Sequence, residues 1–410
     1  MNTSWTALRN PIFRRLWIAS VISGICVAAH NNAATYVMNT FATSAFVISL
    51  ISTVASLPFF LFTLPAGVLA DSVNRKKLVC AINVWLAFAA VALAILGWLH
   101  LLNPWLILIN VFVLGIGFAF NAPTWTSIVA QVVSDAELPS AATLSGLQLN
   151  ISAVVGPALG GLLVSSIGAN LVFVANAACF LLVILAVLQW KQPSVSSKVP
   201  SQSFSQSFSS AARYFRCAPE LKIVLVRNFI FALFISAIPV IVPVLGLEAL
   251  RLNSSKLGFL FTSMGVGSVI GAAVIAPWLR ARYSSNTLTL SANLIVILTY
   301  VLMGFVRQTE LFMFVAALAG AGWTLSASEL WVAAQRAMPD WARGRMSAAI
   351  MMVSQGAMVL GGLIWGTGVA IVGPGCTLFG AAALFLINLL LGAPPSINPT
   401  TSLEERVSVA

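Results

Sequence analysis

Repeated apolar runs, each long enough to cross a bilayer as a helix, constrain this chain more than any other feature. They fall at residues 16–38, 45–69, 78–99, 105–130, 141–165 and 169–190, then after a polar break at 222–246, 256–278, 286–306, 310–335, 346–370 and 373–391. About 20 apolar residues in a helix span roughly 30 Å of hydrocarbon, where only helices and closed barrels satisfy every backbone polar group. Charged residues make up 8% of the 410, against roughly 25% in soluble proteins. Too few are present to cover a water-facing surface, which excludes a soluble enzyme, a nucleic-acid binder and a disulfide-stapled secreted domain. The pattern predicts an all-α polytopic membrane protein with twelve transmembrane helices.

The charges orient these spans. With both ends on one side, that side receives Arg9, Arg14, Arg15, Arg75, Lys76, Lys77, Lys191, Lys198, Arg213, Arg216, Lys222, Arg280, Arg282, Arg336, Arg343, Arg345 and Arg406, and the other only Arg251, Lys256 and Arg307. Such a bias marks the cytoplasmic side, so both termini are predicted there and the net charge of +11 needs no acidic partner. The first span is preceded by bases but followed by many others, unlike a cleavable signal peptide. Cys26, Cys80, Cys179, Cys217 and Cys376 form no CxxC pair, and His30 and His100 are the only histidines. No metal site and no cofactor are expected from that set.

The polar break divides the chain. Residues 191–221 hold a serine-rich stretch with the near-repeat Ser203-Phe204-Ser205-Gln206-Ser207-Phe208, a composition that builds no core and reads as a cytoplasmic linker. Residues 392–410 read as a short cytoplasmic tail. The remaining segments, 1–190 and 222–391, are expected to form two pseudo-symmetric six-helix bundles. Gly67 answers Gly271 at an offset of 204, and Gly156 and Gly161 answer Gly361 and Gly366 at 205. Paired bundles of this kind are common in transporters.

The strongest local signal is Gly67-Val68-Leu69-Ala70-Asp71-Ser72-Val73-Asn74-Arg75-Lys76-Lys77. Gly67 permits close helix approach. Asp71 stands at the membrane boundary, where it can accept hydrogen bonds from a helix end or pair with a base, and Arg75, Lys76 and Lys77 hold the turn at an anionic inner surface. This run resembles the signature loop between helices 2 and 3 of the major facilitator superfamily. The opening Leu8-Arg9-Asn10-Pro11-Ile12-Phe13-Arg14-Arg15-Leu16-Trp17, the stretch Asn121-Ala122-Pro123-Thr124-Trp125, Glu137-Leu138-Pro139, Gly156-Pro157-Ala158-Leu159-Gly160-Gly161, and Gln335 to Arg345 resemble its bacterial siderophore and drug exporter branch, which includes the enterobactin exporter. The resemblance implies that Asp71 and its neighbouring bases latch two bundles together on the cytoplasmic side. It also implies that Gly156, Pro157, Gly160 and Gly161 form the packing motif associated with antiporters. Two features depart from the pattern. The fourth span carries no base near Asn110, and the second copy of the loop, Gly271 to Arg282, lacks an acid matching Asp71.

Polar side chains inside a membrane favour protein or water over lipid, and they mark a candidate pathway. His30, Asn31, Asn32, Thr35, Tyr36 and Asn39 crowd the first span; Asn110, Asn121 and Trp125 follow in the fourth, Gln148 in the fifth, Arg227 in the seventh, Trp323, Glu329 and Trp331 in the tenth, and Gln355 in the eleventh. Glu329 is expected either to pair with Arg336 or Arg227, or to take part in ion coupling, for which His30 is the other candidate. Together these features predict a non-enzymatic secondary active transporter of the bacterial cytoplasmic membrane. It is expected to act as a monomer and to export a small amphiphilic or aromatic solute, with protons as coupling ion and lipids and solute as partners. A siderophore exporter and a facilitator without proton coupling are the alternatives. A cavity around Arg227 favours siderophores, and one lined by Trp125, Trp323 and Trp331 favours lipophilic compounds.

Overall fold

The computed structural model describes residues 3–41, 44–190, 219–338 and 343–391. The linker expected from 191 and the tail from 392 fall outside them, as does the side chain of Asp71. The first six helices are α1 (Pro11–Thr40), α2 (Ala45–Ser72), α3 (Arg75–Trp98), α4 (Pro104–Val132), α5 (Leu138–Ile167) and α6 (Ala169–Leu188). Next come the apolar spans α7 (Leu221–Ala249) and α8 (Ser254–Arg280), each with a π-helical turn, at Leu245–Ala249 and Gly271–Ile275. The chain continues with α9 (Ser285–Phe305), α10 (Thr309–Ala337) and α11 (Arg343–Leu391).

Local chemistry sets where several helices start. Asn10, Asn74, Asn103 and Asn253 each accept backbone N–H bonds at an N-terminus, and Pro11 and Pro104 occupy first-turn positions. Asparagine supplies a bond that the first turn lacks, and proline there sacrifices no helical donor.

The helix count corrects the expectation. Among the described residues there are eleven helices long and apolar enough to cross a membrane, not twelve. The segments predicted at 346–370 and 373–391 belong to one 49-residue element, α11, which bends at Gly373 (φ 82°, ψ 165°). Glycine takes this positive φ without steric cost. Beyond it the chain folds back, so that a Cβ on Gly368 would stand 2.9 Å from Thr377 Cγ2. Nine residues of straight helix would separate those positions by about 13 Å. The expected break at 371–372 is therefore a bend within an element.

Packing does not simply follow chain order. α1 lies against α5 and α6, α3 against α4 and α6, and α2 against α4; in the second half α10 packs on α8 and α9, and α11 on α7 and α9. The halves meet along α5–α8 and α2–α11, with α2 also against α7. Large apolar side chains such as Phe88, Trp105 and Leu391 face outward, as a hydrocarbon solvent allows.

Candidate transport cavity

The contacts between the halves gather toward one end. In the α5–α8 seam a Cβ on Gly258 would overlap Pro157 O, a Cβ on Gly265 would stand 2.6 Å from Ala153 O, and Ser165 and Ser255 hydroxyls are 3.0 Å apart. Only glycine lets backbones approach this closely. In the α2–α11 seam Gly356 meets Phe60, Gly362 meets Thr53 and Gly366 meets Ser49, and beside it Ser52 Oγ of α2 donates to Pro239 O of α7 at 2.6 Å. Toward the other end of the same helices, near the basic turn at Arg75, a Cβ on Gly67 or Gly146 would meet nothing within 4 Å.

Between the seams lies a cavity of about 420 Å³. Ala28, Asn31, Asn32 and Thr35 of α1 form one wall with Ala153 and Pro157 of α5. Opposite stand Phe261, Met264, Gly265 and Ser268 of α8, Gly320, Trp323 and Thr324 of α10, and Pro239 of α7. Among the described residues, no charged side chain is on this wall. Asn32 Nδ2 donates to Pro157 O at 3.2 Å, Thr35 Oγ1 to Asn31 O at 2.9 Å, and Ser268 Oγ to Gly320 O at 3.1 Å.

Of the residues singled out in the sequence, Asn31, Asn32, Thr35 and Trp323 come together here. The others are placed elsewhere. Tyr36 is half-buried against the apolar core, and Asn39 lies near the end of α1. Asn110 Nδ2 donates to Ala89 O of α3 at 2.7 Å, and Gln148 Nε2 reaches Ser20 O of α1 at 3.3 Å. Trp125 packs among apolar residues of the first half, Trp331 is exposed, and Asn121 and Gln355 are half-buried. Arg227 Nη1 donates to Asn286 Oδ1 at 3.1 Å. Ser268, Phe261 and Met264 were not anticipated, although their spacing puts them on one helical face.

Glu329 pairs with neither Arg336 nor Arg227. Its Oε1 accepts from Arg280 Nε and its Oε2 from Ser285 Oγ, each at 2.5 Å. The carboxylate is 4% exposed and the guanidinium 41%, so the pair straddles a boundary between protein and water. Long-range helix packing created it, and no spacing within α10 announces it.

His30 lies behind the cavity wall, fully buried, its ring 4.6 Å from that of Phe173 on α6. Both of its nitrogens, Asn110 Oδ1 and both amide atoms of Asn176 have no hydrogen-bond partner among the described residues. Asn176 is bracketed on α6 by Phe173 and by Cys179, whose sulfur touches that of Cys26 on α1. These polar side chains therefore lie buried inside the first half, off the cavity lining.

The latch and packing residues are spread along the molecule. Lys76 Nζ donates to Leu188 O at 2.8 Å and Trp190 O at 2.6 Å, holding the end of α6, where a cation complements the helix dipole. Arg75 stands beside it at the start of α3, and Lys77 donates its backbone N–H to the Asn74 cap. A Cβ on Gly160 would stand 2.6 Å from Ala29 Cα, Gly156 abuts Ala28, and Gly161 abuts Ser254 across the seam.

Long apolar helices in two halves, meeting along paired seams around a polar but uncharged cavity, define a multi-pass transporter that moves small molecules by alternating access. The profile of the family described as transmembrane secretion effectors, within the major facilitator superfamily, matches residues 2–408, and the chain belongs to that family. It is accordingly a transport protein and not an enzyme. It is 23% identical to macrolide efflux protein A of Streptococcus pyogenes over 76% of this chain and 77% of the relative. It is also 23% identical to the enterobactin exporter EntS of Salmonella paratyphi A, over 86% of each. These equal identities do not select the enterobactin-exporter branch. Among solved structures it resembles the inward-facing, unoccupied bacterial homologue of the lysosomal transporter Spinster, with a TM-score of 0.70, 17% identity and 93% of each chain covered. The nucleoside transporter NupG superposes with a TM-score of 0.72 and 12% identity, covering 93% of this chain and 98% of that one.

Proposed function

We propose that this protein is a secondary active exporter of the bacterial cytoplasmic membrane, carrying a small amphiphilic or aromatic solute outward as a monomer. The carrying observation is the cavity between α1, α5, α8 and α10, closed at one end by the α5–α8 and α2–α11 seams. The unsealed end lies toward the basic turn at Arg75, Lys76 and Lys77. The positive-inside bias makes that end cytoplasmic, with both termini on the same side and residues 1–190 and 222–391 as the two rocking bodies. Asp71 and its neighbouring bases then act as the latch of the opposite state, in which the cytoplasmic end closes. Export as the direction is supported by relatives named as efflux and export proteins.

An ion gradient supplies the energy in this reading, since the sequence contains no phosphate-binding loop. Glu329 and His30 are the groups whose titration would report proton coupling. The siderophore alternative draws support from EntS and from the staphyloferrin A transporter of Staphylococcus aureus, 24% identical over 75% of this chain. It finds no cation among the described residues of the cavity wall, which Arg227 does not line.

Inverted membrane vesicles test the proposal. Solute should accumulate when the vesicle interior is made acidic, and a protonophore should abolish accumulation. Equal equilibration with and without the gradient would instead establish a facilitator.

A further inference from the structure

The cavity wall specifies the cargo more closely than the transport reading requires. Asn32, Thr35 and Ser268 spend donors on backbone carbonyls. Asn31, Trp323 and Thr324 also face the cavity, and their side chains have no hydrogen-bond partner among the described residues. Asn31 is exposed although it lies midway along a membrane helix, so its carboxamide is presented to whatever fills the cavity. The indole Nε1–H is a donor only, whereas the amide and the hydroxyl both donate and accept. Phe261 and Met264 supply the apolar surface beside them.

Charge is what the wall withholds. Glu329, on the same helix as Trp323, is paired with Arg280 and is not among the lining residues. An ion entering such a site sheds its water and meets no counter-charge among the described lining residues, which costs it affinity. A neutral carbonyl, ether or hydroxyl recovers its hydrogen bonds from Trp323, Asn31 and Thr324, and an apolar ring recovers contact with Phe261 and Met264. Resting on the transport reading, we infer that the cargo is an uncharged, ring-bearing amphiphile with hydrogen-bond acceptors placed for Asn31 and Trp323. The cavity volume of about 420 Å³ falls within the roughly 300–1,000 Å³ range of drug-sized sites.

Three coumarin probes with one ring system and different side groups test this: a neutral carboxamide, its carboxylate and an aminoethyl cation. Equilibrium binding is measured on the full chain in lipid nanodiscs, and gradient-driven flux in proteoliposomes. The carboxamide is expected to bind at least about 10-fold more tightly than either ion, a difference of about 1.4 kcal/mol. Asn31→Leu and Trp323→Phe should each weaken carboxamide binding roughly 3- to 10-fold, the worth of one hydrogen bond. A charged probe binding as tightly as the carboxamide, no saturable carboxamide binding, or full affinity in folded Asn31→Leu would overturn the inference. Neutral preference in binding with no flux under any gradient would keep this site and reject the transport reading. Gradient-driven flux that prefers the carboxylate would do the reverse.

Discussion

At the scale of single residues, burial decides what each polar group costs to disturb. Glu329 is almost wholly enclosed, whereas Arg280 is two-fifths exposed. Arg280→Met leaves a buried carboxylate without its base and should destabilise the protein by about 3–5 kcal/mol. Glu329→Gln keeps an acceptor for Ser285 and frees an arginine that can reach water, so its cost should be about 1–2 kcal/mol. Thermal unfolding in detergent checks the asymmetry. Flux normalised to folded protein checks the role: a structural pair predicts that Glu329→Gln retains transport within about 2-fold at this stability cost, and a coupling carboxylate predicts loss of gradient-driven flux with exchange preserved. Asn176 gives a second residue-level expectation. It is fully buried, and neither amide atom has a partner among the described residues; each unsatisfied atom costs about 1–3 kcal/mol. Asn176→Leu, close in size and apolar, should therefore raise the melting temperature, and a lowered one would show that the amide is satisfied within the bilayer.

At the scale of helices, the decisive contacts are those that tolerate no side chain. A Cβ at Gly258 would run into Pro157 O, a backbone atom that cannot rotate aside. Gly258→Val should push α8 from α5 and depopulate the state sealed by that seam, with flux falling more than membrane abundance. Distance measurements between spin labels on α5 and α8 would check this; an unchanged distance distribution would sink it. The sequence made these helices easy to find, because apolar length and asparagine caps are local signals. Helix termination was less legible. Gly168 (φ 85°) and Gly373 (φ 82°) share one backbone conformation at an offset of 205, and both interrupt helical geometry, at the end of α5 and inside α11, although most other glycines of this chain stay helical.

For the whole molecule, alternating access requires the closed end to open. Ser165 and Ser255 face each other across the α5–α8 seam with hydroxyls 3.0 Å apart. In a background with the five native cysteines replaced, the pair Ser165→Cys and Ser255→Cys should cross-link under mild oxidant, stop transport, and recover on reduction. Continued flux in the cross-linked protein would rule out opening at this seam. Each single cysteine variant serves as the control, since it can form no intramolecular bridge.

What the sequence determined by itself was the solvent. Apolar runs of bilayer length with scarce charge leave hydrocarbon as the only medium in which this chain can fold, and the motif around Gly67 and Asp71 carried the superfamily resemblance. It also pointed to the first span's polar face, from which Asn31, Asn32 and Thr35 reached the cavity. Tertiary structure decided the rest, because a polar side chain in a membrane helix has one sequence signature and several fates. Asn110 turned to a backbone carbonyl of α3, Asn31 to the cavity, and Glu329 to an arginine 49 residues away on α8. Which partner each group finds depends on the rotation and crossing of helices distant in the chain, and those are set by packing summed over the whole bundle.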